Sequence, residues 1–270
     1  MKKLILFPLV IFLGGCGGEQ GGNGNNANAS TETLELLEVD DPKVFAEVLA
    51  GSRDFVKLEL RNVEDEEILY SREKDVLFTG WTKVMFNSKQ PMVLIQYKDG
   101  KEHGHHLTWH DNGKKERQST HKEGKPHGRY TIWNRNGKKS LEGEYSDGVK
   151  TGDWNEFYED GSKKFRQTFQ DGNFTDAISW KPDGEKCPVT NFANGQGAWA
   201  TYHQNGEKAE EGSYAYGKRE GLWYRWHDNG QKSAEGNYLN GEQNGTWNEY
   251  DREGTPYNIK IFRDGERVDE

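Results

Sequence analysis

The feature that most constrains this chain is a sequence unit of about 24 residues that recurs through most of its length. Each unit contains a four-residue segment that begins with Tyr, Phe or His and ends in glycine. These glycines follow one another at intervals of 22 to 24 residues: Gly100, Gly124, Gly148, Gly172, Gly195, Gly217, Gly241 and Gly265. A fixed period of this size is typical of proteins built from stacked repeats, in which each unit packs on its neighbours.

A second glycine marks another point of the unit. It recurs at Gly113, Gly137, Gly161, Gly184, Gly206, Gly230 and Gly254, and Asn or Asp precedes it in six of these seven cases. Asn-Gly and Asp-Gly pairs between alternating segments are typical of tight hairpin turns. We therefore expect each repeat to consist of a strand, a tight turn at this second glycine, a return strand, and a looser turn at mid-repeat glycines such as Gly124 and Gly128.

Aromatic residues recur in register with the glycines. One stands four residues before each second glycine: Trp109, Trp133, Phe157, Trp180, Tyr202, Trp226 and Tyr250. Another follows the mid-repeat glycine by two, as Tyr130, Trp154, Trp199, Trp223 and Trp247, with His106 in the first clear unit. The two positions differ by three residues, so either both faces of the sheet carry aromatics or a bulge corrects the register. Because hydrophobic residues make up only 32% of the chain, we expect a thin aromatic core.

The pattern resembles the MORN repeat, specifically its bacterial variant. Two segments carry the resemblance, Glu142-Gly143-Glu144-Tyr145-x-x-Gly148-x-x-x-Gly152-x-Trp154 and Glu235-Gly236-Asn237-Tyr238-x-x-Gly241-x-x-x-Gly245-x-Trp247. It covers roughly residues 77–265 and implies an all-β fold, an elongated antiparallel β-hairpin array forming one twisted ribbon of about sixteen strands. It also implies the antitoxin-like character often attributed to bacterial members.

Two regions differ from the regular array. Between residues 39 and 76, Asp40-Asp41-Pro42 and the segment up to Gly51 predict a short helix, and the alternating residues 55–60 predict a strand. The repeats then fill 77–270, beginning with a degenerate unit that turns at Asn87-Ser88 and ending in an incomplete unit at Gly265. Within residues 169–191, Asp176 replaces the mid-repeat glycine and two prolines intrude, so we expect a bulge or an irregular strand there.

The N-terminus is typical of a targeting segment. Two lysines precede an apolar stretch of about ten residues, which ends in Leu13-Gly14-Gly15-Cys16 and resembles a bacterial lipoprotein box. We expect residues 1–15 to be a signal peptide, Cys16 to be the lipid-attachment site, and residues 16–38, rich in Gly and Asn, to be a flexible tether. The resemblance to lipoproteins implies a location in the cell envelope and, because Gly rather than Asp follows Cys16, at the outer membrane if the host has two membranes.

The chain offers little sign of catalytic chemistry. Six of its eight histidines lie between His103 and His127, but those two occupy equivalent positions one repeat apart, roughly 10 Å. Solvated or aromatic-substituting histidines are therefore favoured over a metal site, and no cofactor is expected. Cys187 is interpreted as structural, the alternative being a reactive thiol. No nucleophile, zinc-protease or phosphate-loop motif occurs, so we expect no enzyme. A net charge of −9 disfavours nucleic-acid binding.

Two functions remain open. The first is a membrane-tethered repeat scaffold that binds a protein partner in the cell envelope. The second is a binding module for envelope glycan or lipid headgroups that uses exposed aromatics. In either case Trp and Tyr are the residues most enriched at contact hot spots, although packing within the ribbon is the alternative role for them. The candidate interaction surface consists of Trp109, Trp133, Trp199, Trp223, Trp226 and Trp247.

Overall fold

The computed structural model describes residues 39–64 and 66–268. The expected signal peptide, the lipid-attachment site at Cys16 and the tether lie outside the described residues. Within the described part, no helix combines the length and the apolar character needed to cross a bilayer. Antiparallel hairpins dominate and one short α-helix precedes them, which confirms the predicted fold class.

The helix, α1 (Pro42–Gly51), has the predicted bounds and capping. The Asp41 carboxylate accepts hydrogen bonds from the backbone N–H groups of Lys43 (2.7 Å) and Val44 (3.3 Å), which closes the first turn. One side of α1 packs on the first strands of the repeat array. There Phe45 contacts Trp109 with ring centroids 5.5 Å apart, so the helix covers the start of one sheet face.

A small three-stranded sheet follows the helix. The elements of this region are β1 (Arg53–Asp54), a 3-10 turn (Phe55–Lys57), β2 (Leu58–Val63), β3 (Glu66–Ser71) and β4 (Val76–Leu77). The predicted strand over residues 55–60 is therefore wrong in its first half. The chain turns at Phe55–Lys57 because β1 pairs in parallel with the large sheet, whereas β2 starts the small one.

The repeats build two larger sheets. The first has ten strands and the second has seven; in each, the strands of the repeats neighbour one another in chain order, and β1 is added at the edge of the first. The strands of the first are β5 (Gly80–Met85), β6 (Pro91–Lys98), β7 (Lys101–Trp109), β8 (Lys115–Lys122), β9 (Lys125–Trp133), β10 (Lys139–Ser146), β11 (Val149–Phe157), β12 (Lys163–Gln170) and β13 (Asn173–Ser179). Those of the second are β14 (Gly197–Tyr202), β15 (Lys208–Ala215), β16 (Lys218–Trp226), β17 (Lys232–Leu239), β18 (Glu242–Tyr250), β19 (Pro256–Arg263) and β20 (Glu266–Arg267).

The turns occupy the predicted places, but the tight and loose ones are exchanged. Two-residue turns lie at the first glycine series; Asp99 and Gly100, for example, have φ of 49° and 80°. Two successive positive φ values give the hairpin turn that matches strand twist. At the second glycines, such as Gly113, the loop between the strands is longer. There the side-chain oxygen of the preceding Asn or Asp accepts a hydrogen bond from a backbone N–H, as Asn112 does from Lys114. Mid-repeat glycines such as Gly128 lie inside strands, at bulges, rather than in turns.

Among the described residues the array is interrupted after β13, so the irregularity predicted for residues 169–191 is confirmed only in its second half; Asp176 lies in a regular strand next to a register shift. Residues 180–196 form isolated bridges instead of a regular strand. Three backbone hydrogen bonds hold this segment beside β13, including Cys187 N–H to Ser179 O (2.8 Å) and Gly195 N–H to Thr175 O (2.8 Å). Pro188 cannot donate a ladder hydrogen bond, which accounts for the division of the expected single ribbon into two sheets.

Candidate functional site

One face of the sheets is built around a row of aromatic rings, which we call the ring face. Three of its members are the indoles of Trp154, Trp223 and Trp247, which are buried. Each indole N–H donates to a backbone carbonyl at 3.1 Å. Tyrosines alternate with the indoles in edge-to-face contacts: Trp223 lies 5.3 Å from Tyr214 and 5.6 Å from Tyr238 between ring centroids. This geometry is favourable for aromatic pairs and continues the core from unit to unit.

Each of these three indoles lies flat against a glycine of the preceding strand. A Cβ placed on Gly143, Gly212 or Gly236 would come within 2.3 Å of the indole that covers it. These glycines are therefore required for close approach, not for turn geometry. Gly143 and Gly236 belong to the quoted repeat segments, but no close-approach role was predicted for them. The signal for this role is the spacing of eleven residues between each glycine and its tryptophan.

Cations lie over the rings of this face. The Lys150 ammonium is 4.3 Å from the centroid of Trp154, and the Arg219 guanidinium is 4.2 Å from that of Trp223. Burial lowers the pKa of Lys150 below its ordinary value. Arg219 also forms an ion pair with Glu210 at 2.7 Å. The repeat unit on this face is thus a cation, an indole and a phenol in contact.

The candidate tryptophans divide between packing and surface. Trp109, Trp199, Trp223 and Trp247 are buried and stabilise the sheets. Trp109 lies beneath α1 and the other three belong to the ring face. Only Trp133 and Trp226 retain part of their surface. The packing role is therefore what the structure shows for four of the six residues.

The opposite face, here called the lysine face, also carries aromatic side chains, so the first of the two expected arrangements is the one observed. Tyr224 and Trp226 follow Trp223 by one and three residues and contact each other at 5.8 Å, so both sheet faces carry aromatics. Lysine ammonium groups lie over these rings: Lys115 on Trp133 (5.4 Å), Lys208 on Trp226 (5.1 Å) and Lys232 on Tyr224 (4.9 Å). The lysine face therefore presents the same cation–aromatic pair in successive units.

Glutamates complete this arrangement. Lys232 donates to Glu235 at 2.7 Å, and the Tyr250 hydroxyl donates to the same carboxylate at 2.7 Å. These hydrogen bonds hold the pKa of Glu235 below its ordinary value. This arrangement was not predicted, although the sequence carries a signal for it. A lysine stands two residues after six of the seven second glycines: Lys115, Lys139, Lys163, Lys186, Lys208 and Lys232.

Exposed apolar side chains extend the lysine face toward its C-terminal end. On β19, Tyr257, Ile259 and Ile261 are 65%, 58% and 45% exposed. Lys260 pairs across β18 with Trp247 of the ring face, so Ile259 and Ile261, its neighbours, project to the lysine face. Leu222 is also exposed on this side. Several apolar side chains exposed together are typical of an interaction surface.

The histidine-rich segment brings together His106 and His121, a pair that was not predicted from the sequence. His103 and His127, which are one repeat apart, bond separately to Glu123 (3.1 Å) and Asp147 (3.2 Å). By contrast, His106 Nδ1 and His121 Nε2 both approach Glu102 Oε2, at 3.1 and 3.5 Å. Burial lowers the pKa of His121 to about 4, so this ring is neutral near pH 7. The pKa of Glu102 is lowered by the hydrogen bond from His106, against the effect of its burial.

Cys187 lies in a small cluster under the irregular segment. Its thiol is 3.3 Å from the Tyr202 hydroxyl and is buried with Ala200. These contacts fit the structural role expected for it.

The comparisons with known proteins concern two of the repeats. The family model of the MORN repeat variant matches residues 102–123 and 219–240. No curated protein is significantly similar to the chain in sequence. MORN repeats are in general modules for protein or membrane interaction, and a scaffold of this type is typically not catalytic.

Proposed function

We propose that the chain is a non-catalytic scaffold, tethered to the membrane of the cell envelope through a lipid on Cys16, that binds a protein partner with its lysine face. One observation carries the proposal: the rings of one face are buried in the array, whereas the other face carries the Lys208–Trp226 and Lys232–Tyr224 pairs and exposes apolar side chains. Aromatic anchors with a polar, charged surround are the composition of protein-binding surfaces. A cytoplasmic antitoxin-like role would not be compatible with export.

Two exposed residues allow a controlled test of the binding surface. Ile261 on the lysine face is 45% exposed, and Val76, on β4 of the small three-stranded sheet, is 50% exposed. The full chain is purified in detergent and used to capture proteins from an envelope extract of its host. We expect Ile261→Asp and Trp226→Ala to abolish capture of the partner and Val76→Asp to preserve it. Equal capture by all variants would refute the assignment of the surface.

The tether is tested separately by cell fractionation. Cys16→Ser removes the acylated thiol, and acyl chains supply the membrane affinity at ~0.8 kcal/mol per buried CH₂ group. We expect the variant to leave the membrane fraction while its circular dichroism spectrum stays unchanged. A variant that remains membrane-bound would contradict the lipid anchor.

A groove on the ring face favours the second candidate function, binding of envelope glycan. It has a volume of about 370 Å³ and is lined by aromatic side chains (Phe165, Trp199, Tyr214) together with two arginines and Glu210. Aromatic walls with a few polar groups are typical of small-molecule sites. Sedimentation of the full chain with purified cell-wall material, free of protein, tests this function. Binding that is lost in Arg225→Ala and kept in Ile261→Asp would support glycan binding over a protein partner.

A further inference from the structure

The first clear repeat replaces the ring-face unit by a different set of side chains. In the segment 219–240 the unit consists of Arg219, Trp223 and Tyr238. The segment 102–123 matches the same family model with the same length. Its equivalent positions, 117 residues earlier, hold Glu102, His106 and His121. A cation, an indole and a phenol are thus exchanged together for a carboxylate and two imidazoles.

The fold converts these three positions into a cluster. In a regular strand, residues four apart are separated by about 13 Å. On β7, however, the register shifts between Ile95 and Tyr97, so that three residues lie opposite Gln96 alone. This bulge lets His106 Nδ1 reach Glu102 Oε2 at 3.1 Å, and His121 enters from β8. One ligand-type atom from each of the three side chains lies within 4.8 Å of the others.

The hydrogen bonding of the cluster is incomplete. A guanidinium can only donate, so Arg117, 2.6 Å from His106 Nε2, makes that nitrogen the acceptor and leaves the proton on Nδ1. His121 Nε2 lies at 3.5 Å from the carboxylate, the limit of hydrogen-bond range. His121 Nδ1 and Arg117 Nε are buried and have no partner among the described residues. Buried nitrogens of this kind require an explanation, of which a bound ion is one.

We propose that Glu102, His106 and His121 bind a divalent transition-metal ion, with zinc as the first candidate. Two imidazoles and a carboxylate form a ligand set that zinc uses when a fourth position is left to solvent. Ligands at about 2.0–2.1 Å from a tetrahedral ion are separated from each other by about 3.4 Å. The two separations measured at Glu102, 3.1 and 3.5 Å, lie on either side of this value. Imidazole and carboxylate together also suit cobalt and nickel.

Arg117 should weaken binding of the metal ion. When His106 binds a metal through Nδ1, its proton moves to Nε2, which then faces the guanidinium donor at 2.6 Å. Arg117 must turn away, and its charge repels the incoming cation. Among the described residues Arg117 Nε has no hydrogen-bond partner, so the hydrogen bond to His106 is the one that this movement breaks. The arginine is therefore a positioning residue that weakens binding, and its removal is a test that a purely structural cluster would not pass.

The experiment uses the full chain in detergent, stripped with a chelator and titrated with Co²⁺ and then Zn²⁺. We expect one ion per chain, a visible absorption band typical of tetrahedral Co²⁺, and loss of that band as Zn²⁺ displaces it. His106→Trp and His121→Tyr install the residues of the 219–240 unit, and Glu102→Gln keeps the shape of the side chain. Each should weaken Zn²⁺ binding at least about tenfold.

Controls and the opposite variant complete the test. Arg117→Gln should tighten Zn²⁺ binding about tenfold, and His103→Gln and His127→Gln should leave it unchanged. Zn²⁺ should raise the melting temperature of the unsubstituted chain but not that of the double variant His106→Trp/His121→Tyr. The proposal is wrong if the unsubstituted chain retains no ion. It is also wrong if the Glu102→Gln variant binds Zn²⁺ as tightly as the unsubstituted chain.

Discussion

Substitution of a single buried glycine tests how the ring face is assembled. A methyl group at Gly236 would lie 2.3 Å from Cδ2 and 2.5 Å from Cε2 of Trp247, whereas carbon atoms in contact are about 3.5–4.0 Å apart. The indole must therefore retreat by more than about 1 Å. That movement breaks the hydrogen bond from its Nε1 to Asn237 O, now 3.1 Å long. We expect Gly236→Ala to destabilise the chain.

The size of the effect follows from three contributions. Overpacking destabilises by about 1–3 kcal/mol, and loss of the hydrogen bond adds about 1 kcal/mol. Restriction of the unfolded chain offsets about 0.4–1 kcal/mol of this. The net loss of about 2 kcal/mol corresponds to a fall of about 4–8 °C in melting temperature for a protein of this size.

Thermal unfolding followed by circular dichroism provides the measurement. Gly51→Ala is the matched control, because Gly51 ends α1 and a Cβ there meets no atom within 4 Å. It should leave the melting temperature unchanged or slightly higher. Trp247→Leu should relieve part of the loss when combined with Gly236→Ala. A Gly236→Ala variant that melts within about 1 °C of the unsubstituted chain would refute the close-approach role of this glycine.

Three further changes test other parts of the array. Gly230→Val should lower the melting temperature, because φ at this position is 81° and an L-residue there costs about 1–2 kcal/mol; an unchanged value would contradict the turn. Asn229→Ala removes a 2.7 Å hydrogen bond from its side chain to the next turn and should cost about 1 kcal/mol, measured by urea denaturation. The pKa of Glu235 is lower folded than unfolded because Lys232 and Tyr250 donate to it, so its stabilisation exists above the ordinary glutamate pKa and is lost as pH falls through the folded value. Glu235→Gln should therefore show a smaller loss of melting temperature on acidification below about pH 4.5 than the unsubstituted chain, and an identical pH profile would refute the coupling.

The hairpin array could be predicted because glycine spacing and aromatic spacing repeat in step. Turn positions follow from residues such as Gly124, and the irregular strand follows from Pro188. The exchange of tight and loose turns could not be predicted from Asn-Gly pairs alone. At Asn112 the side chain accepts a backbone N–H within the turn, which favours a longer loop over the two-residue hairpin.

The functional surfaces were harder to predict because they depend on bulges. Alternation along a strand assigns Trp223 and Trp226 to opposite faces, but it cannot say which face is covered. Similarly, Glu102 and His106 are four residues apart, and only the bulge opposite Gln96 brings their side chains together. The comparison of His103 with His127, which occupy equivalent repeat positions, therefore did not identify His106 and His121, the two histidines that lie together.

Hydroxyl-radical footprinting of the full chain, first purified and then in envelope preparations of its host, tests the proposal that one face is core and the other binds a protein partner. We expect Trp226 and Tyr257 to be modified in the purified chain and protected in the envelope, while Trp223 and Trp247 stay unmodified in both. Modification of Trp223 as fast as Trp226, or no protection of Tyr257 in the envelope, would contradict the account.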